Sequence, residues 1–212
     1  MKTCYISCAL DCKIEISPQK NDLVIGADKG YFTLVENGIR PDAVIGDFDS
    51  YTGEIDCEKV IKFPVKKDDT DSALAIKYAE EQGYKNIVVF GAIGGLLDHT
   101  IANIALASQY AKKGINIAFV DGENVLFAIC NGKISFDEKA MGRISVFSFD
   151  EKSVGVYEKG LLYSLENASL ENSIPLGVSN EFIGEKSEIS VENGTLLIYT
   201  SKNNFENHLT RL

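Results

Sequence analysis

The 212-residue sequence lacks several things, and each absence removes a class of protein. No stretch approaches the roughly 18 consecutive apolar residues of a membrane-spanning helix. No lysine- and arginine-rich run appears: 31 acidic residues outnumber 21 basic ones, and the formal net charge is −10. That argues against a nucleic-acid scaffold, whose affinity rests on neutralising phosphates. It leaves room for a nucleotide, whose few charges are met locally. The pattern Gly-x-x-x-x-Gly-Lys-Ser/Thr is missing, which excludes a P-loop enzyme. No signal-peptide pattern is present either; the apolar run after Lys2 breaks at Asp11 and Lys13 without a small-residue cleavage site. There is no internal repeat and no low-complexity segment. The five cysteines are odd in number and scattered, so a reduced cytoplasmic protein is expected. Cys4, Cys8 and Cys12 recur every fourth residue. A metal site there is conceivable, but residues 3–10 read as a strand, and buried small hydrophobes are the preferred reading.

What is present suits a globular chain of one large or two small domains, with 45% hydrophobic and 25% charged residues. The first half alternates strand and helix signals. Strands are expected at 3–10, 23–27, 43–45, 60–63, 86–90 and 115–120, and helices at 30–37, at 71–82 behind the N-cap Thr70, and from about 99 to 113. In the last helix Ile101, Ile104 and Ala105 form the expected inward stripe, which weakens at Ser108. After residue 122 helical periodicity disappears, and candidate strands follow at 124–130, 133–136, 143–149, 153–157, 187–191 and 195–200. Asn131-Gly132 and Asn193-Gly194 are hairpin signals. The fold class expected is α/β followed by all-β: a mostly parallel sheet flanked by helices in residues 1–122, then an antiparallel β-sandwich in 123–212.

The polar clusters of the first half all follow strands, so a parallel sheet gathers them on one edge, where open α/β folds keep their ligands. Asp28 follows the second strand. Gly46-Asp47-Phe48-Asp49-Ser50 follows the third, and alternation puts Asp47 and Asp49 on one side if the backbone stays extended. Lys67-Asp68-Asp69-Thr70-Asp71 leads into a helix, and Gly94-Gly95-Leu96-Leu97-Asp98-His99 opens another. Singly each has an ordinary reading: a polar strand end, a helix-start aspartate, an N-cap, a tight turn, a structural histidine. Jointly they suit a Mg²⁺–polyphosphate substrate, with carboxylates on the metal and glycine N–H groups near phosphate. In the second half, Gly177-Val178-Ser179-Asn180-Glu181-Phe182 reads either as a solvated turn with one core phenylalanine or as a recognition segment. In the second case Ser179 and Asn180 would bond a heterocycle and Phe182 would pack near it.

These pieces, with Ala27-Asp28-Lys29-Gly30, stand in the order found in the thiamin pyrophosphokinases, which the chain resembles over nearly its whole length. The resemblance implies an α/β nucleotide-binding domain and a β-sandwich. It implies transfer of pyrophosphate from ATP to thiamin, giving AMP, in a homodimer with thiamin at the subunit interface. It also implies roles. Asp47, Asp49 and Asp71 would be catalytic and hold Mg²⁺. Asp28, Lys29, Gly30, Asp49, Ser50, Lys67, Asp69, Thr70, Gly94, Gly95, Asp98 and His99 would bind ATP. Asp71, Asp98, Ser179, Asn180 and Phe182 would face thiamin. One position departs: the family commonly has arginine after the paired glycines, where this chain has Leu96. Leucine cannot fork onto phosphate, so Lys66 or Lys67 is a candidate substitute, and Lys29, where the family often has glycine, is a further candidate cation. A catalytically impaired thiamin- or nucleotide-binding protein is the alternative this departure raises. A Mg²⁺-dependent phosphatase or glycosyltransferase, suggested by Asp-x-Asp alone, leaves Ser179-Asn180 unexplained.

Overall fold

A computed structural model describes residues 2–48, 54–64 and 68–211 of the chain. It divides into two compact units, Met1–Leu106 with Ile117–Gly122, and Ala107–Asn116 with Glu123–Leu212. Among the described residues no helix is long and apolar enough to cross a membrane.

The first unit alternates strand and helix: β1 (Cys4–Ser7), β2 (Leu23–Ala27), α1 (Gly30–Glu36), β3 (Ala43–Gly46), β4 (Val60–Lys62), α2 (Asp71–Glu81), β5 (Asn86–Phe90), α3 (Leu97–Ala111) and β6 (Asn116–Asp121). The last two run on across the division. The strand order is β6-β5-β1-β2-β3-β4, and β5, β1, β2, β3 and β4 pair in parallel. Ala43, Val44 and Ile45 are fully buried, as expected of a strand covered on both faces. Helix α2 starts where its cap requires: the Thr70 hydroxyl accepts from the Ala73 N–H at 3.2 Å, and Asp71 places an anion in the first turn. Gly83, with φ +76, ends the turn that follows.

Two expectations in this unit are corrected. Strand β1 stops at Ser7 rather than residue 10. Beyond it, Cys8 and Leu10 donate to the carbonyls of Phe90 and Gly91 at 2.8 and 3.1 Å. Those bonds bring the backbones so close that a Cβ on Gly91 would overlap the Leu10 carbonyl. Helix α3 begins at Leu97, two residues early, and turns a different face inward. Ile101 is 59% exposed and Ala105 is exposed, while Asn103, Ala107, Ser108 and Tyr110 are buried. The reason lies in partners distant along the chain. The Asn103 side chain finds partners on both sides, so a polar residue takes the place the apolar stripe was expected to fill.

The second unit contains β7 (Asn124–Cys130), β8 (Lys133–Phe136), β9 (Arg143–Ser148), β10 (Lys152–Lys159), β11 (Leu165–Glu171), β12 (Asn180–Glu181), β13 (Ser187–Asn193), β14 (Thr195–Ser201), a π-helical turn (Asn204–His208) and β15 (Leu209–Arg211). They form two antiparallel sheets, ordered β12-β9-β14-β7 and β11-β10-β13-β8-β15. Phe136 and Phe182 meet edge to face across this sandwich, with centroids 5.1 Å apart.

The two Asn-Gly pairs are not hairpins. β7 pairs with β14 and β8 with β13, so neither dipeptide joins paired strands. Each is a corner at which the chain leaves one sheet for the other, and the corners are stitched together. Asn131 N donates to Gly194 O at 3.1 Å, Gly194 N to Asn131 Oδ1 at 2.8 Å, and Val191 N to Gly132 O at 3.0 Å. Asn131 accepts the left-handed backbone (φ +47) that the bend needs.

Candidate active site

The carboxyl ends of β1, β2 and β5 and the start of α2 enclose a cavity of about 280 Å³. Its lining includes Cys8, Leu10, Asp28, Thr70, Asp71, Gly95, Leu96, His99 and Asn103. A second cavity of about 460 Å³ shares Ala9 and Asp28 with the first and adds Asp11, Lys29, Phe32 and Phe48. Asp28 therefore stands on the wall common to both. Its backbone is left-handed (φ +48), and its N–H donates to the Ile45 carbonyl at 2.8 Å. Gly46 makes that turn possible, since a Cβ there would press on the Asp28 backbone at 3.1 Å. Gly30 opens α1 directly beneath the end of β1, so close that any Cβ would overlap the Ser7 carbonyl.

Phe48 is also left-handed (φ +56). The extended backbone assumed for Asp47-Phe48-Asp49 is thus not the one adopted, and β3 ends at Gly46. Asp47 is half-buried. Asp49, Ser50, Lys66 and Lys67 lie outside the described residues. Among the described residues, five non-glycine positions have left-handed φ, and Asp28, Phe48 and Ser179 are three of them. Such a conformation costs roughly 1–2 kcal/mol in a non-glycine residue.

A hydrogen-bond chain fixes the cavity's floor. Ser72 Oγ donates to Asn103 Oδ1 at 2.8 Å, and Asn103 Nδ2 donates to the Ala92 carbonyl at 2.6 Å. Ser72 has one proton, already given to Asn103, so the 3.0 Å contact with Thr70 Oγ1 must be donated by Thr70. The start of α2, with Asp71, is thereby tied to the loop leaving β5.

Not every expected residue joins these cavities. Asp47 and Gly30 line neither, and Asp69, Gly94 and Asp98 are exposed and also line neither. Asp98 lies inside the first turn of α3, not at its cap, and accepts from the His99 N–H at 2.9 Å. Gly94 (φ +92) bends the loop and donates to Thr100 Oγ1 at 3.3 Å. Leu96 is 69% exposed at the rim of the first cavity. In the second unit Ser179 (φ +59) is exposed, and its N–H donates to Ser145 Oγ at 3.0 Å. Asn180 is 3% exposed and Phe182 is 8% exposed in the core. Cys4 and Cys8 are buried, Cys12 is half-buried, and all three are free thiols. Burial pushes the Cys8 thiol up to about 12, with the Asp71 carboxylate adding to the shift. Burial chiefly raises Cys4 as well.

Reading the sequence missed Ala9, Leu10, Ser72 and Asn103. For Ala9 and Leu10 a signal existed: β1 ends on the same sheet edge as the other parallel strands. Asn103 lies four residues after His99, on the same helix face.

An acid-lined site at the carboxyl edge of a parallel sheet, in a chain that continues as an antiparallel β-sandwich, defines a two-domain α/β-plus-β protein with a small-molecule site. Two family profiles match it: thiamin pyrophosphokinase, catalytic domain, over residues 16–119, and thiamin pyrophosphokinase, vitamin B1 binding domain, over 132–196. The chain is 32% identical over 190 residues to the thiamine pyrophosphokinase of Bacillus subtilis, covering 86% of this chain and 88% of that one. Among solved structures it is similar to a Bacillus subtilis thiamine pyrophosphokinase (TM-score 0.81, 29% identity, 94% of this chain and 98% of that chain). It is also similar to a thiamin pyrophosphokinase family protein of Enterococcus faecalis (TM-score 0.82, 26% identity, 94% and 98%). The chain belongs to the thiamin pyrophosphokinase family.

Proposed function

We propose that the protein transfers the pyrophosphoryl group of ATP to the hydroxyl of thiamin, giving thiamin diphosphate and AMP. The cavity where Asp28, Thr70, Asp71, Gly95 and His99 meet carries this reading, in a chain of a family named for the reaction. Residues 1–122 would be the ATP-binding catalytic domain, and residues 123–212 the thiamin-binding domain.

The oxygen donors of the first cavity support Mg²⁺ as the ion. Its acids are Asp28 and Asp71, and the thiol beside them is kept protonated. Hard oxygen donors without a thiolate suit that ion. Asp47, Asp49 and Asp71 would hold it, and when bound it would neutralise charge on the phosphates.

The rest is positioning by the chain itself. Asp28, Lys29 and Gly30 border the nucleotide, with Ser50, Asp69, Thr70 and His99 around its phosphates. The Gly95 N–H approaches phosphate oxygens, Gly94 bends the loop that presents it, and Lys29 and Lys67 supply the positive charge that Leu96 does not. Asp71, Asp98 and the Ser179–Asn180 segment serve thiamin, and Phe182 shapes that segment from the core. The thiamin hydroxyl oxygen attacks the β-phosphorus, the bond to the bridging oxygen of AMP breaks, and the hydroxyl proton passes to one of the three metal-site carboxylates.

A homodimer with thiamin at the subunit interface is supported by two exposed apolar patches. One comprises Leu10, Leu96, Leu97 and Ile101, and the other Leu162, Tyr163, Ile174, Leu176 and Val178. Five free cysteines support a reducing, cytoplasmic location. Incubation with thiamin, ATP and Mg²⁺ tests the reading. Thiamin diphosphate and AMP in equal amounts are expected; ADP or inorganic phosphate without thiamin diphosphate would overturn it.

A further inference from the structure

Tyr31 stands among the nucleotide residues of the first unit, yet it lines neither of the two cavities there. It is the second residue of α1, directly after Gly30, and is 7% exposed. Gly26 on β2 makes room for it, since a Cβ there would press on the Tyr31 Cα at 2.8 Å. The Phe32 ring meets the Tyr31 ring edge to face, with centroids 5.1 Å apart. The ring is thus held from the strand below and from its neighbour. Its hydroxyl reaches elsewhere: Tyr31 Oη accepts from the Asp56 N–H at 3.1 Å.

That bond joins α1 to the segment that follows the Gly46–Ser50 motif. Residues 54–58 form neither helix nor strand, so no ladder of main-chain bonds fixes where they lie. The neighbours of the bonded pair show what the bond is for. Phe32 follows Tyr31 and Ile55 precedes Asp56, and both line the second cavity, of about 460 Å³, with Asp28, Lys29 and Phe48. The Asp28 N–H on the Ile45 carbonyl ties the same two motifs at their strand ends. The Tyr31 hydroxyl ties them again further out, where Ile55 meets the cavity half-buried.

We propose that Tyr31 is a positioning residue for the nucleotide: its hydroxyl holds Ile55 and Asp56 so that Ile55 and Phe32 together form the apolar wall against which the nucleoside of ATP packs. Two phenylalanines and an isoleucine beside one lysine suit an uncharged ring system joined to a phosphate chain. The inference rests on the reading that Asp28, Lys29 and Gly30 border ATP. Tyr31 touches no ligand and takes no part in the phosphoryl chemistry. Its effect therefore falls on nucleotide affinity and not on turnover at saturation.

Tyr31→Phe tests the proposal, because it keeps the ring and removes the acceptor. The KM for ATP should rise about fivefold, the worth of one ordinary hydrogen bond. The kcat and the KM for thiamin should stay within about twofold of wild type. The α,β-methylene analogue of ATP, which cannot release its pyrophosphoryl group, should bind about fivefold more weakly in the presence of Mg²⁺. Ile55→Ala removes the wall itself and should weaken analogue binding at least as much. The double variant gives a readout that a merely structural role would not move. Since Tyr31 acts through Ile55, adding Tyr31→Phe to Ile55→Ala should change analogue affinity by less than about twofold. Analogue affinity and ATP KM within about twofold of wild type in Tyr31→Phe, or the whole fivefold effect persisting beside Ile55→Ala, would overturn it. Should Tyr31→Phe fail to fold, Ile55→Ala decides, and unchanged analogue binding there overturns the wall. A wild type that binds the analogue but forms no thiamin diphosphate would sink the functional reading instead, and the analogue affinities would still judge the wall. A wild type that binds no analogue overturns both.

Discussion

Ser72 and Asn103 join helices α2 and α3 through one buried hydrogen bond of 2.8 Å, and the Asn103 amide carries the link on to the Ala92 carbonyl. Asn103 is 3% exposed, so no water replaces it easily. Asn103→Ala would leave the Ser72 hydroxyl proton without its acceptor and the Ala92 carbonyl without its side-chain donor. A loss of about 1–3 kcal/mol is expected, read as a lower denaturant midpoint at unchanged slope. Turnover should fall with it, because Asp71 sits one residue from Ser72.

The carboxylates should behave differently. Asp47→Asn and Asp71→Asn keep size and remove charge. Pyrophosphoryl transfer should drop by about a hundredfold or more, while the thermal midpoint stays near wild type. Midpoint and turnover measured on the same preparations separate loss of chemistry from loss of fold.

Leu96→Arg restores a cation at the rim of the first cavity. Leu96 is 69% exposed, so the larger side chain meets no packing barrier. About a tenfold gain in kcat/KM for ATP is expected if phosphate pairing is the missing element. An unchanged value would mean that Lys29 or Lys67 already supplies it.

Gly30 and Gly38 make a matched pair. A Cβ on Gly30 would overlap the Ser7 carbonyl, whereas one on Gly38, at φ +71, meets nothing within 4 Å. Gly38→Ala should therefore cost about 1 kcal/mol from backbone conformation alone. Gly30→Ala must displace the end of β1 and should cost several-fold more. Urea unfolding of the two variants checks the contrast.

Glu158 predicts a pH dependence with a definite sign. Its folded pKa, about 7, lies above its ordinary 4.5. Between those values the native state holds a proton that the unfolded chain releases. The stability this contributes is fully present below 4.5 and is lost as pH rises through 7. Glu158→Gln lacks the titration. The thermal midpoint of the wild type minus that of the variant should therefore fall across this interval and level off above it.

Much of this could be read from residue order because the signals were local. The strand at 86–90 and the helix opened by Thr70 follow from runs and caps that need no distant partner. Asp28 and Asp71, which line the first cavity, were legible for the same reason, since one follows a strand and the other opens a helix. What escaped depends on long-range pairing. Strand β11 is an edge strand with only Leu170 buried, so it never needed alternation. The inward face of α3 was misread because Asn103 is satisfied by Ala92 and Ser72, residues distant in sequence. Glu158 looks like any surface glutamate until the pairing of β10 shows which way its phase points.

The stitched corners at Asn131 and Gly194 have a consequence for how the second unit comes apart. Each sheet borrows strands from the same two bent ribbons, β7–β8 and β13–β14, so neither can detach and leave the other whole. Pulling β14 out from between β9 and β7 pulls on β13 through Gly194, and the strain passes to β8. The unit should melt as one cooperative block, its amides on both sheets exchanging with solvent in a single event. A break in the chain at either corner would yield no self-sufficient half.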